Sequence, residues 1–225
     1  MLDRRNLPLG ILMLWSLGYS TSATAVQEFS LKGDEGFLLD NFRMPVELDP
    51  AQLPGVVWKG ISGADCLIYE FFDYNCSYCR RAGRVLDKIL GDDPGVRLGL
   101  VNNPMLSIGS VQVAKIQQAI LRLYGPDAAY DFHLRMLEWH GAATGPSALE
   151  VARMMSLDTL KIEESADSSL IAPVLTRQSK LAVNAGMSIT PSFVIGGTVI
   201  LGWPGEHSLR EMIVAARKCD HPYCP

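Results

Sequence analysis

The sequence is poor in histidine, in clustered basic residues and in repeats, and each absence argues against a class of function. Four histidines in 225 residues make a histidine-rich metal site unexpected. The net charge is −4 and no run of Lys or Arg occurs, which argues against nucleic acid as a partner because phosphate binding needs a basic footprint. No low-complexity segment is present, and a hydrophobic fraction of 48% is that of an ordinary globular protein.

The first 25 residues predict a cleaved secretory signal peptide. Arg4 and Arg5 precede a nearly unbroken apolar segment over residues 7–17, and small residues lead to the cleavage pattern Ala23-Thr24-Ala25. The apolar segment is shorter than the about 20 residues that span a bilayer, although an uncleaved anchor is the alternative. We therefore expect export from the cytosol, where cysteines can form disulfides.

The apolar pattern after residue 25 predicts an α/β domain that is interrupted by helices. An extension over residues 26–55, with a short amphipathic helix at 37–42, precedes a strand–helix–strand unit at 56–104. Its strand at 65–72 is almost wholly apolar, as in strands buried on both faces. We expect a helical insertion at 105–186, a hairpin and helix at 187–218, and a tail at 219–225.

Cys76-Ser77-Tyr78-Cys79 lies where the buried strand ends and a helix begins. Residues three apart share a helix face, so the two sulfurs can meet there. Free N–H groups and the helix dipole favour a thiolate at Cys76, the species that attacks a disulfide. The alternatives are a structural bridge or half of a zinc site, but zinc takes about four ligands and no second pair has matching spacing. The placement favours a redox pair.

Two motifs resemble those of the DsbA-like periplasmic thiol–disulfide oxidoreductases. The stretch Glu70–Arg80, which reads EFFDYNCSYCR, resembles their active-site segment, and Ile189–Gly196, which reads ITPSFVIG, resembles their loop before a cis-proline. The resemblance covers roughly residues 56–215. It implies a thioredoxin fold, a central mixed β-sheet flanked by helices, with an inserted helical subdomain. It also implies a periplasmic enzyme that forms, reduces or isomerises disulfide bonds in exported proteins.

The same resemblance assigns roles beyond the two cysteines. Pro191 is expected to follow a cis bond that exposes the backbone of Thr190 to an extended substrate peptide; a trans proline that opens a strand is the alternative. Glu70 lies where the family places a buried acid. Burial should raise its pKa, so that it can take the proton of Cys79. The alternative is a glutamate that reaches water.

The sequence departs from the family pattern at two places. Ile189 replaces the usual glycine before Thr190-Pro191, which should narrow the substrate groove. Ser77-Tyr78 replaces the Pro-His of strongly oxidising members and brings no positive charge, while Arg80 and Arg81 are expected on the solvent side of the helix. We therefore expect this protein to be a milder oxidant than the family members that carry Pro-His.

The remaining cysteines and histidines carry weaker signals. Cys219 and Cys224 are expected to form a small structural disulfide; free thiols, a second redox pair or a metal site with His221 are the alternatives. Cys66 is expected to be an apolar strand residue. His133 and His140 are expected to be surface or helix-cap residues rather than ligands.

We expect no cofactor and no resident metal. The expected partners are cysteine-containing exported proteins and a membrane redox partner that drives either direction of exchange. Isomerase relatives carry a separate dimerisation domain, and the extension here is too short for one, so we expect a monomer. Metal binding or delivery by the same cysteine pair is the alternative function, and a chaperone on the same scaffold is a third.

Overall fold

A computed structural model describes residues 28–224 of the chain. The predicted signal peptide and its cleavage site lie outside the described residues. Six strands occur in this part of the chain: β1 Asn41–Arg43, β2 Val57–Lys59, β3 Cys66–Phe72, β4 Val96–Asn102, β5 Ser192–Ile195 and β6 Thr198–Leu201. The α-helices of the same part are α1 Ser77–Asp92, α2 Ile108–Glu138, α3 Gly145–Met154, α4 Thr159–Asp167, α5 Ile171–Asn184 and α6 Glu206–Cys219.

The strands form one mixed sheet in the order β1-β6-β5-β3-β4-β2. The central strand β3 runs parallel to β4 and antiparallel to β5. Both of its faces are covered, which explains its unbroken apolar sequence: Ile68 and Phe72 belong to one core cluster, and Tyr69 and Phe71 to the other. The structure confirms the predicted fold, a central mixed sheet flanked by helices with an inserted helical subdomain.

Helices α2 to α5 form the insertion between β4 and β5. Helix α2 breaks at Gly125, whose φ of 86° and ψ of 178° are not helical, and Pro126 follows. Pro126 fits the first turn of a new helical segment, where its missing N–H costs no hydrogen bond. Among the described residues, no helix is both long and apolar enough to cross a membrane.

The extension before β2 differs from the sequence prediction. Residues 37–42 do not form a helix: Leu38 bridges Lys32, and Asn41 opens β1, which pairs with β6. The Asn41 side chain accepts from the Phe29 N–H and donates to the Phe29 carbonyl, both at 2.8 Å. These contacts with a segment twelve residues away stabilise the extended backbone, and sequence periodicity does not show them.

The end of the chain is held at the opposite end of β3 from Cys76. Cys219 is the last residue of α6 and forms a disulfide with Cys224. Rings of the tail contact Phe29, with centroids 5.6 Å away for His221 and 6.2 Å for Tyr223. The disulfide therefore fastens the tail against the start of the described chain.

We expect the variant with both Cys219→Ser and Cys224→Ser to lose about 2 kcal/mol of unfolding free energy, because the bond closes only a short loop. Each single substitution should cost nearly as much, since either one removes the bond. Chemical denaturation of the three variants measures this. Peptide mapping that finds both residues as free thiols in protein purified without reductant would contradict the pairing.

Candidate active site

Cys76 and Cys79 lie in the first turn of α1 as free thiols. Cys76 is the N-cap residue, and its sulfur accepts a hydrogen bond from the Cys79 backbone N–H at 3.4 Å. The Cys76 residue is 7% exposed and Cys79 is fully buried. The Cys76 residue is therefore slightly accessible, whereas Cys79 is closed off from solvent.

The two thiols have opposite acidities. The pKa of Cys76 is lowered to about 6, chiefly by a hydrogen bond with the Cys79 side chain. The Thr190 side chain and the N–H groups of Cys79 and Tyr78 lower it further, while partial burial opposes them. Burial raises the pKa of Cys79 far above its ordinary value, with further contributions from Cys76 and the charge of Glu70. Cys76 is thus the thiolate at neutral pH, and Cys79 is the proton donor beneath it.

The loop before β5 brings a backbone carbonyl to the same sulfur. The Thr190–Pro191 peptide bond is cis. The Cys76 thiol donates a hydrogen bond to the Thr190 carbonyl oxygen at 3.1 Å. Ser192 holds the turn by donating from its hydroxyl to the Ile189 carbonyl at 2.7 Å. Two motifs more than a hundred residues apart in sequence therefore meet at Cys76.

Glu70 is fully buried on β3, on the sheet face that α1 covers. Neither of its carboxylate oxygens has a hydrogen-bond partner among the described residues. Burial raises its pKa to about 8, and the negative charge of Cys76 adds to the effect. The carboxyl group is therefore protonated at neutral pH when Cys76 is a thiolate.

A polar network that the sequence does not reveal holds the loop before Cys76. Asp73 accepts from the N–H of Asn75 at 2.7 Å, the hydroxyl of Ser110 at 2.6 Å and the N–H of Leu106 at 2.9 Å. Asn75 exchanges two hydrogen bonds with the backbone of Ala143, at 2.9 and 2.8 Å. Short polar residues at a strand-to-helix turn are the available signal. Their partners lie up to 68 residues away and are not visible in the sequence.

Arg80 does not point to solvent as expected. Its guanidinium donates to the carbonyls of Leu137 and Gly141, each at 3.1 Å, to that of Trp139, and to that of Tyr74 at 3.4 Å. Three of these acceptors lie at or just after the end of α2, where carbonyls lack partners within the helix. Arg80 therefore fastens the active-site turn to the insertion.

The expectation that His133 is a surface or helix-cap residue is wrong, because it lies inside α2 and is buried. It is 1% exposed, and its Nδ1 lies 3.4 Å from the Tyr74 hydroxyl. Burial lowers its pKa to about 3, so the ring is neutral. The aromatic residues at 72, 74, 130 and 132 pack around it or its neighbours, which explains why a histidine on an inserted helix is internal.

The other predicted cysteine sites lie apart from this centre. Cys66 begins β3, and the Cys219–Cys224 disulfide lies at that same end of the sheet. Among residues 28–224, no group of three or more His, Cys, Asp or Glu side chains is arranged to hold a metal ion.

A mixed sheet with a Cys-x-x-Cys pair at a helix start and an adjacent cis-proline defines a thioredoxin-type protein. The family model for thioredoxin matches residues 53–215, and the chain belongs to this family. No curated protein sequence matches the chain.

Among solved structures, a thioredoxin-like oxidoreductase from Silicibacter pomeroyi is 30% identical, with a TM-score of 0.68 over 74% of this chain and 94% of that one. The thiol-disulfide exchange protein alpha-DsbA2 from Wolbachia pipientis is 20% identical, with a TM-score of 0.66 over 71% and 86% of the two chains. BdbD from Bacillus subtilis is 20% identical, with a TM-score of 0.67 over 84% and 98%. The resemblance to DsbA-like proteins is confirmed at the level of the fold.

Iodoacetamide should label Cys76 before any other thiol of the reduced protein. With a pKa of about 6, half of the Cys76 population is thiolate near pH 6, where an ordinary thiol is almost wholly protonated. Labelling rates measured from pH 4 to 9 by mass spectrometry should rise with a midpoint near pH 6. Earlier labelling of Cys79 would reverse the assignment.

Proposed function

We propose that this chain is an exported thiol–disulfide oxidoreductase that forms, reduces or isomerises disulfides in exported proteins through Cys76 and Cys79. The observation that carries the proposal is the pairing of an acidic, partly accessible Cys76 with a buried, non-acidic Cys79 beside the Thr190 carbonyl. The predicted signal peptide supports export to the periplasm. The oxidoreductase title of the 30% identical relative supports the chemistry.

In the oxidising direction, a substrate thiolate attacks Cys76 of the Cys76–Cys79 disulfide. The bond between the two cysteines breaks, and Cys79 leaves as a thiolate that must gain a proton. A second substrate thiolate then attacks the substrate sulfur that is joined to Cys76, and Cys76 leaves as a thiolate. Two electrons pass from the substrate to the protein, and a substrate disulfide forms. Reduction of a substrate follows the same steps in reverse.

Glu70 is the proposed proton carrier for Cys79. Its pKa of about 8 makes it protonated at neutral pH, so it can donate to the leaving Cys79 thiolate. In the reverse direction the carboxylate takes the proton back, which activates Cys79 to attack a mixed disulfide. A buried acid suits this role because burial destabilises only the carboxylate, so Glu70 holds its proton at neutral pH and its pKa lies close to the pH at which the proton must move.

Thr190 and Pro191 are proposed to bind the substrate backbone. The Thr190 carbonyl oxygen lies 3.1 Å from the Cys76 sulfur. A substrate segment that lies against this loop can exchange backbone hydrogen bonds with it, as an added strand does. Its cysteine would then be held next to Cys76. A membrane redox partner would restore the disulfide or the dithiol after each cycle.

Reduced, unfolded ribonuclease should lose its thiols when mixed with the oxidised protein. The Cys76→Ser variant should be inactive, and Cys79→Ala should instead trap a mixed disulfide through Cys76 when reduced protein meets an oxidised substrate. Cys66→Ala is the matched control, because Cys66 lies at the far end of β3 and should keep wild-type rates. Thiol titration and non-reducing electrophoresis measure these outcomes. Equal loss of activity in all three variants would refute the role of the pair.

Glu70→Gln should change both stability and rate. The Glu70 pKa is about 8 in the folded protein against 4.5 for the free group, so the folded state binds more protons between these values. Its stability therefore falls as pH rises from about 4.5 to about 8. The Gln side chain does not ionise, so the variant lacks the cost of keeping a buried carboxyl protonated or charging it as the pH rises. Reduced Glu70→Gln should therefore gain unfolding free energy relative to wild type across that window.

The rate at which Cys79 leaves or attacks should fall about a hundredfold in Glu70→Gln, as for loss of a general acid–base group. Denaturation at several pH values and stopped-flow decay of the mixed disulfide measure the two effects. A variant with the expected stability change and a wild-type rate would show that Glu70 is buried near the pair without carrying its proton.

A further inference from the structure

A groove of about 590 Å³ opens beside Cys76 and has two walls of different origin. One wall consists of Tyr78 and Arg84 from α1 together with Ile189 and Thr190 from the cis-proline loop. The other wall is formed by the hairpin 31–39, which contributes Phe37. The groove therefore runs from the predicted substrate-binding carbonyl to a segment that has no role in the exchange chemistry.

The hairpin lies outside the part of the chain that matches the thioredoxin family, residues 53–215. Its contribution to the groove therefore does not follow from membership of that family. A wall added beside the reactive cysteines changes which substrates fit, and not which bonds are exchanged.

The hairpin is fastened in place at its base and near its turn. Leu31 and Leu39 are buried in the main core at 4% and 9% exposure. The Asp34 carboxylate accepts from the N–H groups of Ser208 at 2.7 Å and His207 at 3.1 Å, which caps the first turn of α6. The backbone around Phe37 is therefore fixed by contacts that do not involve its side chain.

Phe37 is nevertheless 72% exposed, and it faces a groove whose other aromatic and aliphatic members are also accessible. Tyr78 is 51% and Ile189 is 46% exposed, and Trp203 lies half-buried between the walls. Apolar side chains gathered on ordered backbone beside a reactive thiol are typical of a binding surface for an apolar group. The second wall thus offers a contact for a side chain of the substrate.

The charges of the groove are divided between its walls, with Asp34 and Glu35 on the hairpin and Arg81 and Arg84 on α1. Arg81 lies over the Tyr78 ring, 5.3 Å from its centroid, and Arg84 is exposed. Neither guanidinium forms an ion pair within the described residues, whereas Glu206 is held by Lys88 at 2.8 Å. The α1 wall therefore presents two unneutralised positive charges to whatever enters.

We propose that the hairpin 31–39 is a substrate-selecting wall, with Phe37 as its specificity-determining residue. The groove selects flexible polypeptide segments in which an aliphatic or aromatic side chain and an acidic residue flank the reacting cysteine. The apolar side chain packs between Phe37 and Trp203, and the carboxylate faces Arg84. This inference rests on the proposed function, because it names the substrate class of the same site.

The test uses three reduced peptides of equal length, whose cysteine is flanked by Leu and Asp, by Leu and Lys, or by Ser and Asp. The rate at which each reacts with the oxidised protein is divided by the same protein's rate with dithiothreitol, which is too small to need the groove. Wild type should favour the Leu–Asp peptide. Phe37→Ser should lower the Leu-to-Ser rate ratio by about tenfold, as expected for loss of one aromatic contact. Arg84→Glu should reverse the order of the Asp and Lys peptides.

Val46→Ser is the matched control, because Val46 is 91% exposed in the same N-terminal region and does not line this groove. It should keep the wild-type ratios. Equal rates for all three peptides, or the same ratio in Phe37→Ser and Val46→Ser, would overturn the inference while leaving the proposed function intact. Absence of exchange with every thiol, dithiothreitol included, would overturn the proposed function and this inference with it.

Discussion

The hydrogen bonds that the first turn of α1 and the Cys79 side chain offer to the Cys76 sulfur are the interactions on which the centre depends. They lower the pKa of Cys76 to about 6 despite partial burial. The N–H groups are available because the first turn of a helix has no internal acceptors for them. The fold provides that helix start by ending a buried strand, β3, at residue 72 and beginning α1 at residue 77. The acidity of Cys76 is thus a consequence of its position between the end of β3 and the start of α1.

Such a turn is useful only if its position is fixed, and the inserted helices fix it. Asn75 bonds to Ala143 on one side of the cysteines, and Arg80 bonds to carbonyls at 137–141 on the other. Both sets of hydrogen bonds are made to the end of α2 and the segment that connects α2 to α3. A change in the position of the insertion would therefore be transmitted to the backbone on both sides of Cys76. The insertion supports the centre as well as covering one side of it.

The parts of this arrangement that follow from local sequence were predictable, and the parts that depend on distant partners were not. The buried strand before Cys76 and the helix after it show in the apolar pattern, and the burial of Glu70 and the cis bond before Pro191 were expected from the motif resemblance. A helical pattern shows only which face is more polar, so it predicts surface positions for Arg80 and His133. Their internal partners lie elsewhere in the chain: Arg80 donates to carbonyls at and after the end of α2, and His133 contacts the Tyr74 hydroxyl in the loop before α1. Residues 37–42 likewise become extended because β6 is beside them.

The balance between the oxidised and reduced forms depends on two buried ionisable groups that disfavour each other's charge. Hydrogen bonds favour the Cys76 thiolate in the reduced form, whereas burial and, after it, the thiolate charge raise the pKa of Glu70, so its carboxyl stays protonated. Tyr78 adds no charge of its own, but its ring lies under the Arg81 guanidinium at 5.3 Å. That cation lies in water, where screening weakens its effect on the thiolate. The reduced form is therefore stabilised mainly by hydrogen bonds, which favours a milder oxidant than a pair flanked by a histidine cation.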